Sequence, residues 1–184
     1  EGESLDKWVK NATARQMDGL RKDARRHYAV DALYGNWDVA GLNLDNIIVS
    51  TKHGGTPKIF RIDNGGSLRF RAQGARKTAA EWSEVVTELD SLRGKHGKID
   101  NNRGAKWLYS GVSDKATLKN VQQTLRKRKK ILAATPEELR PMIKKRLDYM
   151  ARWAEERIDG QRVVNPIDNV ADALEDAGDA FSDP

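Results

Sequence analysis

The sequence predicts a mainly α-helical fold that carries one small β-hairpin, and three observations lead there. Apolar residues recur at helical spacing over most of the chain, Thr-led caps announce helix starts at Thr78 and Thr135, and one short region switches to β-branched runs around a Gly-Gly turn. With 184 residues the chain is long enough for one domain with a real core. A hydrophobic content of 38% against 33% charged residues places it among globular proteins with a generous polar surface. No stretch approaches the length of a membrane span and the N-terminus lacks signal-peptide architecture, so no membrane partner is expected. Zero cysteines exclude disulfides, thiolate metal sites and a Cys nucleophile, and are compatible with an intracellular protein. The three histidines, His27, His53 and His96, are too scattered for a zinc site.

In chain order, residues 4–34 read as helix, with Leu5, Trp8, Val9, Ala12, Met17, Leu20, Ala24 and Tyr28 drifting along one face. Gly19 costs that helix about 1 kcal/mol relative to Ala, so two helices are the alternative. Arg15, Arg21, Lys22, Arg25 and Arg26 form either a solvated basic face or a phosphate-binding surface. Gly35 and Asn36 end the helix, because both tolerate left-handed geometry. Trp37 then wedges the following loop onto the core, or stacks on a substrate.

Ile47, Ile48 and Val49 make a β-branched strand, residues 52–57 a Gly-Gly turn, and residues 58–62 a second strand. Pairing about Gly54 and Gly55 sets Asn46 opposite Asp63 at the open end of the hairpin. An amide oxygen beside a carboxylate, with Asp38 and Asp45 just upstream, is an all-oxygen group suited to Mg²⁺; the plainer reading is that Asn46 and Asp63 cap strand ends.

Downstream, Ser67 to Arg71 alternates so that Leu68 and Phe70 should point inward, leaving Arg69, Arg71 and Arg76 to bind phosphate or to pair with carboxylates. Thr78 and Glu81 spell a capping box, followed by a helix with Trp82, Val85, Val86, Leu89 and Leu92 on one face until Gly94 stops it. Residues 95–103 are a polar loop, either plainly solvated or facing a substrate, and Trp107, Leu108 and Tyr109 return to the core. Ser113 caps a helix that buries Leu118, Val121 and Leu125 and ends in Arg126, Lys127, Arg128, Lys129 and Lys130. That run offsets a helix dipole, or it binds nucleic acid or an acidic partner. Thr135-Pro136-Glu137-Glu138 starts the last long helix, with Leu139, Ile143, Leu147, Met150, Ala154 and Ile158 at helical spacing and Gly160 as its stop.

The net charge of +6 conceals a division. Residues 168–184 hold six acidic and no basic side chains, so the preceding chain carries +12. Two segments follow from this, a body at 1–165 and an acidic tail at 166–184 in which Val170, Leu174, Ala177 and Phe181 form an apolar stripe. The tail either docks, in cis or on a partner, or stays disordered.

An Asp in a loop, an Asn-Ile opening to a strand, a turn, a second strand and then Ile-Asp-x-Gly resembles the catalytic loop and metal-binding segment of the kinase fold. The closest likeness is to the atypical branch of phosphoinositide kinases, the actin-fragmin kinase and HipA-like kinases, and it covers roughly residues 25–73. The resemblance implies a kinase-like helical C-lobe, with the N-lobe not present in this chain and supplied by a parent chain or another subunit. It implies Asp38 of Gly35-Asn36-Trp37-Asp38 as the catalytic aspartate, Asn46 and Asp63 as ligands of Mg²⁺ on ATP, and Arg69 as a cofactor-binding residue. Asp38 and Asn46 stand eight residues apart where the family has five, a difference that an insertion in the loop reconciles. Two functions are expected from these features: an ATP- and Mg²⁺-dependent phosphotransferase acting on an unidentified acceptor, or a catalytically inactive, pseudokinase-like module that binds nucleic acid or a protein partner.

Overall fold

The structure, a computed structural model, describes residues 2–41, 43–51, 57–71, 73–95 and 103–164. The Gly-Gly turn, most of the polar loop at 95–103 and the acidic tail lie outside the described residues. About 52% of the structure is helical, and one three-stranded antiparallel sheet accompanies the helices, so the mainly α expectation holds at that level. Among the described residues no helix is long and apolar enough to cross a membrane.

The first thirty residues do not form one helix. Glu3–Ser4 is a short strand, β1, that pairs antiparallel with the hairpin and adds a third strand to the sheet. Three helices follow, α1 (Leu5–Trp8), α2 (Ala14–Arg25) and α3 (Tyr28–Leu33). The expected weak point, Gly19, lies inside an unbroken α2, and the break falls instead before Thr13. There the Thr13 hydroxyl accepts from Gln16 N at 3.3 Å while Gln16 Oε1 accepts from Thr13 N at 2.8 Å. This reciprocal cap satisfies free helix donors, whereas the entropic cost of one glycine is outweighed by full burial of Leu20 and Ala24.

The hairpin forms from β2 (Ile47–Ser50) and β3 (Lys58–Arg61), with Ile47 opposite Arg61 and Val49 opposite Ile59. The register is one residue off the expected one. Asn46 stands across from Ile62, whose N–H donates to Asn46 O at 3.1 Å, and Asp63 lies one step further along. Burial decides this: Ile47 and Val49 are almost fully enclosed, and slipping by one residue would turn the partner strand's inward side chains to solvent.

Further along, Leu68 adopts φ +57, Phe70 is 44% exposed, and only an isolated Phe70–Arg76 bridge replaces the expected alternation. The chain is pulled back instead, as Leu68 N donates to Tyr34 O at 2.6 Å and the buried Lys77 donates to Gly35 O at 2.6 Å and Gly66 O at 2.9 Å. The Thr78–Glu81 capping bonds form, yet the regular helix α4 spans only Glu88–Ser91 and Val85 is 41% exposed. Arg146 explains the delay. Its Nη1 takes Ser83 O at 2.6 Å and reaches Val85 O at 3.4 Å, carbonyls that a continuous helix would use for itself.

Helix α5 (Arg103–Tyr109) is followed by α6 (Asp114–Arg126), capped by the Ser113 hydroxyl on Ala116 N at 3.1 Å. The basic run does not continue α6. The backbone turns at Lys127, and α7 (Arg128–Ala134) starts inside the run. Thr135 does not cap the last helix either, because its hydroxyl bonds backward to Ile131 O at 2.7 Å. A 3₁₀ turn at Glu137–Leu139 leads into α8 (Arg140–Val164), which passes through Gly160 without stopping. Ile143, Leu147, Met150 and Ala154 of α8 pack into one core with Leu20, Leu33, Leu89 and Leu108.

One charge crosses that core. Arg146, fully buried, meets the equally buried Glu88 at 2.7 Å, donates to Leu33 O and Ala32 O at 2.8 and 2.9 Å, and lies over the Trp82 ring at 4.4 Å. Trp37 Nε1 donates to the other Glu88 oxygen at 3.1 Å. The wedge expected of Trp37 is thus tied down at its polar end, with Lys77 Nζ 4.8 Å from its ring centre.

Candidate functional site

The loop between α3 and β2 is held at three points. Gly35 at φ +57 turns the chain out of α3, and Val39 and Ala40 are fully buried anchors. Gly41 at φ +74 then makes the tight return: a Cβ there would stand 2.1 Å from Asp45 Oδ1 and 3.1 Å from the Asn46 side chain. From the other side Gly104 of α5 presses on the loop, since a Cβ on it would meet Gly41 O at 2.3 Å.

This packing loops out the residues between Asp38 and Asn46 and brings the two together. Asn46 Nδ2 donates to Asp38 O at 2.8 Å and to Asp38 Oδ2 at 3.1 Å. Both amide hydrogens therefore have acceptors, and the Asn46 Oδ1 oxygen remains as an acceptor beside the carboxylate. The spacing of eight residues is thereby absorbed without separating the pair.

Asp38 is half-buried. Burial raises its carboxyl above the ordinary value, the Asn46 amide opposes that shift, and the nearby carboxylates of Asp63 and Asp45 add to it. Asp38, Asp45, Asn46 and Asp63 thus form one electrostatic neighbourhood, although the register leaves Asn46 and Asp63 unpaired across the hairpin. Asp63 is exposed, and its Oδ1 accepts from Gly65 N at 2.7 Å in a local turn. Among the described residues no hydrogen bond or ion pair joins the Arg69 side chain to this group. The Arg69 backbone oxygen accepts from Lys77 N at 2.7 Å, and the nearby Arg71 donates from Nη2 to both Glu81 carboxylate oxygens at 2.7 Å.

Among the described residues no group of three or more His, Cys, Asp or Glu side chains stands close enough to hold a metal. A divalent cation here would rest on one or two carboxylates, the Asn46 amide oxygen and oxygens of its own ligand, which is the usual way Mg²⁺ is bound beside phosphates. A cation there would meet the Asp38 carboxyl, which is raised first by burial and then by the nearby Asp63 and Asp45 carboxylates.

The other face of the hairpin carries exposed apolar side chains next to the exposed Lys58. Ile48 stands opposite Phe60, and Phe60 and Ile62 are 55% and 60% exposed.

The inner face carries polar groups that sequence reasoning missed. Buried Asp31 of α3 accepts from Arg61 Nη2 at 2.5 Å and from the Tyr109 hydroxyl, while Arg61 also donates to Tyr109 at 2.9 Å. Burial raises Asp31, with Arg61 and the Tyr109 hydrogen bond opposing. The group braces α3, β3 and α5 directly behind the loop, and borders a cleft of about 650 Å³ between α3, β3 and the corner after α7. Its signal in the sequence was the placement of Asp31 three residues after Tyr28, on the stripe that faces the core. Asn36, also buried, donates to Asn64 Oδ1 at 3.2 Å and so ties the loop that holds Asp38 to the segment that holds Asp63.

No family model, no curated protein and no solved structure matches this chain.

Proposed function

We propose that residues 35–66 form the catalytic half of a kinase-like, Mg²⁺- and ATP-dependent phosphotransferase. In this reading the Asp38 carboxylate accepts a hydrogen bond from an acceptor hydroxyl and aligns it for attack. Asn46 Oδ1 and the Asp63 carboxylate hold the cation, which when bound neutralises charge on the transferred phosphoryl group. Ile48, Phe60 and Ile62 offer a floor for the planar base of a nucleotide. The observation that carries the reading is the double hydrogen bond from Asn46 to Asp38, which orients a potential metal ligand and a potential base as one unit. Arg69, without a bond to Asp63 or Asn46, is reserved for contact with phosphate. The reaction needs a second lobe over the sheet, from a longer parent chain or another subunit.

Thermal unfolding with millimolar ATP, with and without Mg²⁺, tests this. Mg²⁺-dependent stabilisation of the wild type, lost in Asp63→Ala, is the expected result. Equal response of both proteins to the nucleotide would remove the reading.

A second reading has its own observation. Arg126 and Lys127 close α6, where positive charge offsets the helix dipole, but Arg128, Lys129 and Lys130 sit in the first turn of α7, where the dipole disfavours it, so compensation does not explain these three. Of the five residues 126–130, only Arg128 has an ion pair among the described residues, with Asp148 at 2.7 Å. The alternative is a catalytically inactive module that holds nucleic acid or an acidic partner through Arg126, Lys127, Arg128, Lys129 and Lys130. Affinity for a DNA or RNA duplex that falls steeply with salt, and falls further in Lys129→Glu/Lys130→Glu, supports it; no binding at low salt removes it.

A further inference from the structure

We propose that the acidic segment 168–181 of this chain docks in cis on a basic groove between α6 and α8. The groove has a volume of about 410 Å³, a floor of Leu118 and Ile158, and a rim of Lys115, Lys119 and Arg126. None of the three rim cations forms an ion pair among the described residues. They follow one face of α6, because Lys115, Lys119 and Arg126 are separated by four and seven residues.

The segment beyond α8 is complementary in both respects. It carries Asp168, Asp172, Glu175, Asp176 and Asp179 with no basic residue, and Val170, Leu174, Ala177 and Phe181 repeat at intervals of four, three and four. It offers apolar side chains for the floor and carboxylates for the three cations. The chain also leaves the body at the right end. Ile158 lies six residues before the end of α8 at Val164, a rise of about 9 Å, and Asn165-Pro166 disfavours straight continuation of the helix. A segment tethered this closely meets the groove at an effective concentration in the millimolar range, so even a weak contact is substantially occupied. Docking neutralises part of the basic surface and holds it from other anions until a stronger competitor arrives.

The absence of cysteine allows a direct test on the full chain. Gln122→Cys in the groove is combined with Ala177→Cys, and disulfide formation is followed under mild oxidation. The comparison pair is Glu84→Cys with Ala177→Cys; Glu84 contacts Lys145, which lies about 20 Å along α8 from Ile158. The groove pair should close intramolecularly at least about tenfold faster than the comparison pair, as tethering at a defined site requires. Lys115→Glu/Lys119→Glu should abolish the advantage, and so should Leu174→Asp/Phe181→Asp, which leaves the folded body untouched. One molar salt should reduce it, because the Debye length falls to about 3 Å. Equal rates for the two pairs, cross-linking between chains only, or indifference to both sets of substitutions would each overturn the proposal.

Discussion

Asn46 donates to the backbone oxygen of Asp38 at 2.8 Å and to its carboxylate at 3.1 Å, bridging a loop that Gly41 folds back on itself. The bond stabilises the charged form of Asp38, while burial and the carboxylates of Asp63 and Asp45 favour the proton. These opposing effects can be separated. Asp63→Asn removes a like charge and should lower the Asp38 value; Asn46→Ala removes the donor and should raise it. Carboxyl ¹³C NMR titration reads both. Because the folded value lies above the ordinary 3.8, Asp38 favours the folded state at low pH and loses that contribution as pH rises through its folded value. Shifts of the same sign in the two variants would show that Asp63 and Asn46 do not act on Asp38 in opposition.

Arg146 and Glu88 should be intolerant of single replacement. Arg146→Met leaves the Glu88 carboxylate buried without its cation and orphans the Leu33, Ala32 and Ser83 carbonyls, a change that typically costs about 3–5 kcal/mol. Urea unfolding should show the midpoint falling with little change in slope. Adding Glu88→Gln to Arg146→Met should recover part of the loss, since the stranded charge is then gone.

Gly104 should resist even a methyl group. The Cβ of Gly104→Ala would meet the backbone oxygen of Gly41 at 2.3 Å and the Ala40 Cβ at 3.0 Å, so α5 or the loop has to move. Overpacking of this kind costs about 1–3 kcal/mol. The displaced loop should also loosen the Asn46–Asp38 bond, visible as faster hydrogen exchange at Gly41 and Asn46 than in a variant of equal stability altered elsewhere.

Lys77 should make stability rise on the alkaline side. Burial brings its ammonium down from 10.5 to about 8, Arg146 acting in the same direction and Glu88 opposing. In the unfolded chain the group keeps its proton up to its ordinary value. Between about pH 8 and 10.5 the unfolded state therefore binds more protons, and stability increases with pH across that window. Denaturant unfolding at pH 7.5 and 9.5 should show this increment in the wild type and not in Lys77→Met.

Much of the helical plan was legible because it rests on local patterns. The Ser113 cap, the end of α3 at Gly35, and the stripe from Ile143 to Ala154 are dictated by short-range hydrogen bonding and side-chain periodicity, and the structure keeps them. Helix boundaries were less legible where a distant group intervened. Arg146 withdraws the carbonyls that would have extended α4 towards Thr78, and Lys77 gathers the chain that would have become a strand at Leu68 and Phe70. Neither effect leaves a trace in the residues it acts on.

For the candidate site, the sequence by itself determined which oxygen-bearing residues were available, Asp38, Asn46 and Asp63, and that a hairpin would carry two of them. Only the tertiary structure decided how they meet. The close seating of Gly104 on Gly41 folds the inserted loop so that Asn46 reaches Asp38, and the burial of Ile47 and Val49 sets the register that places Asp63 one residue beyond Asn46's partner. The Asp31, Arg61 and Tyr109 group behind them joins residues from three separated elements. Its members were individually ordinary in the chain, because the low-dielectric contact that gives them meaning exists only once the three elements have packed.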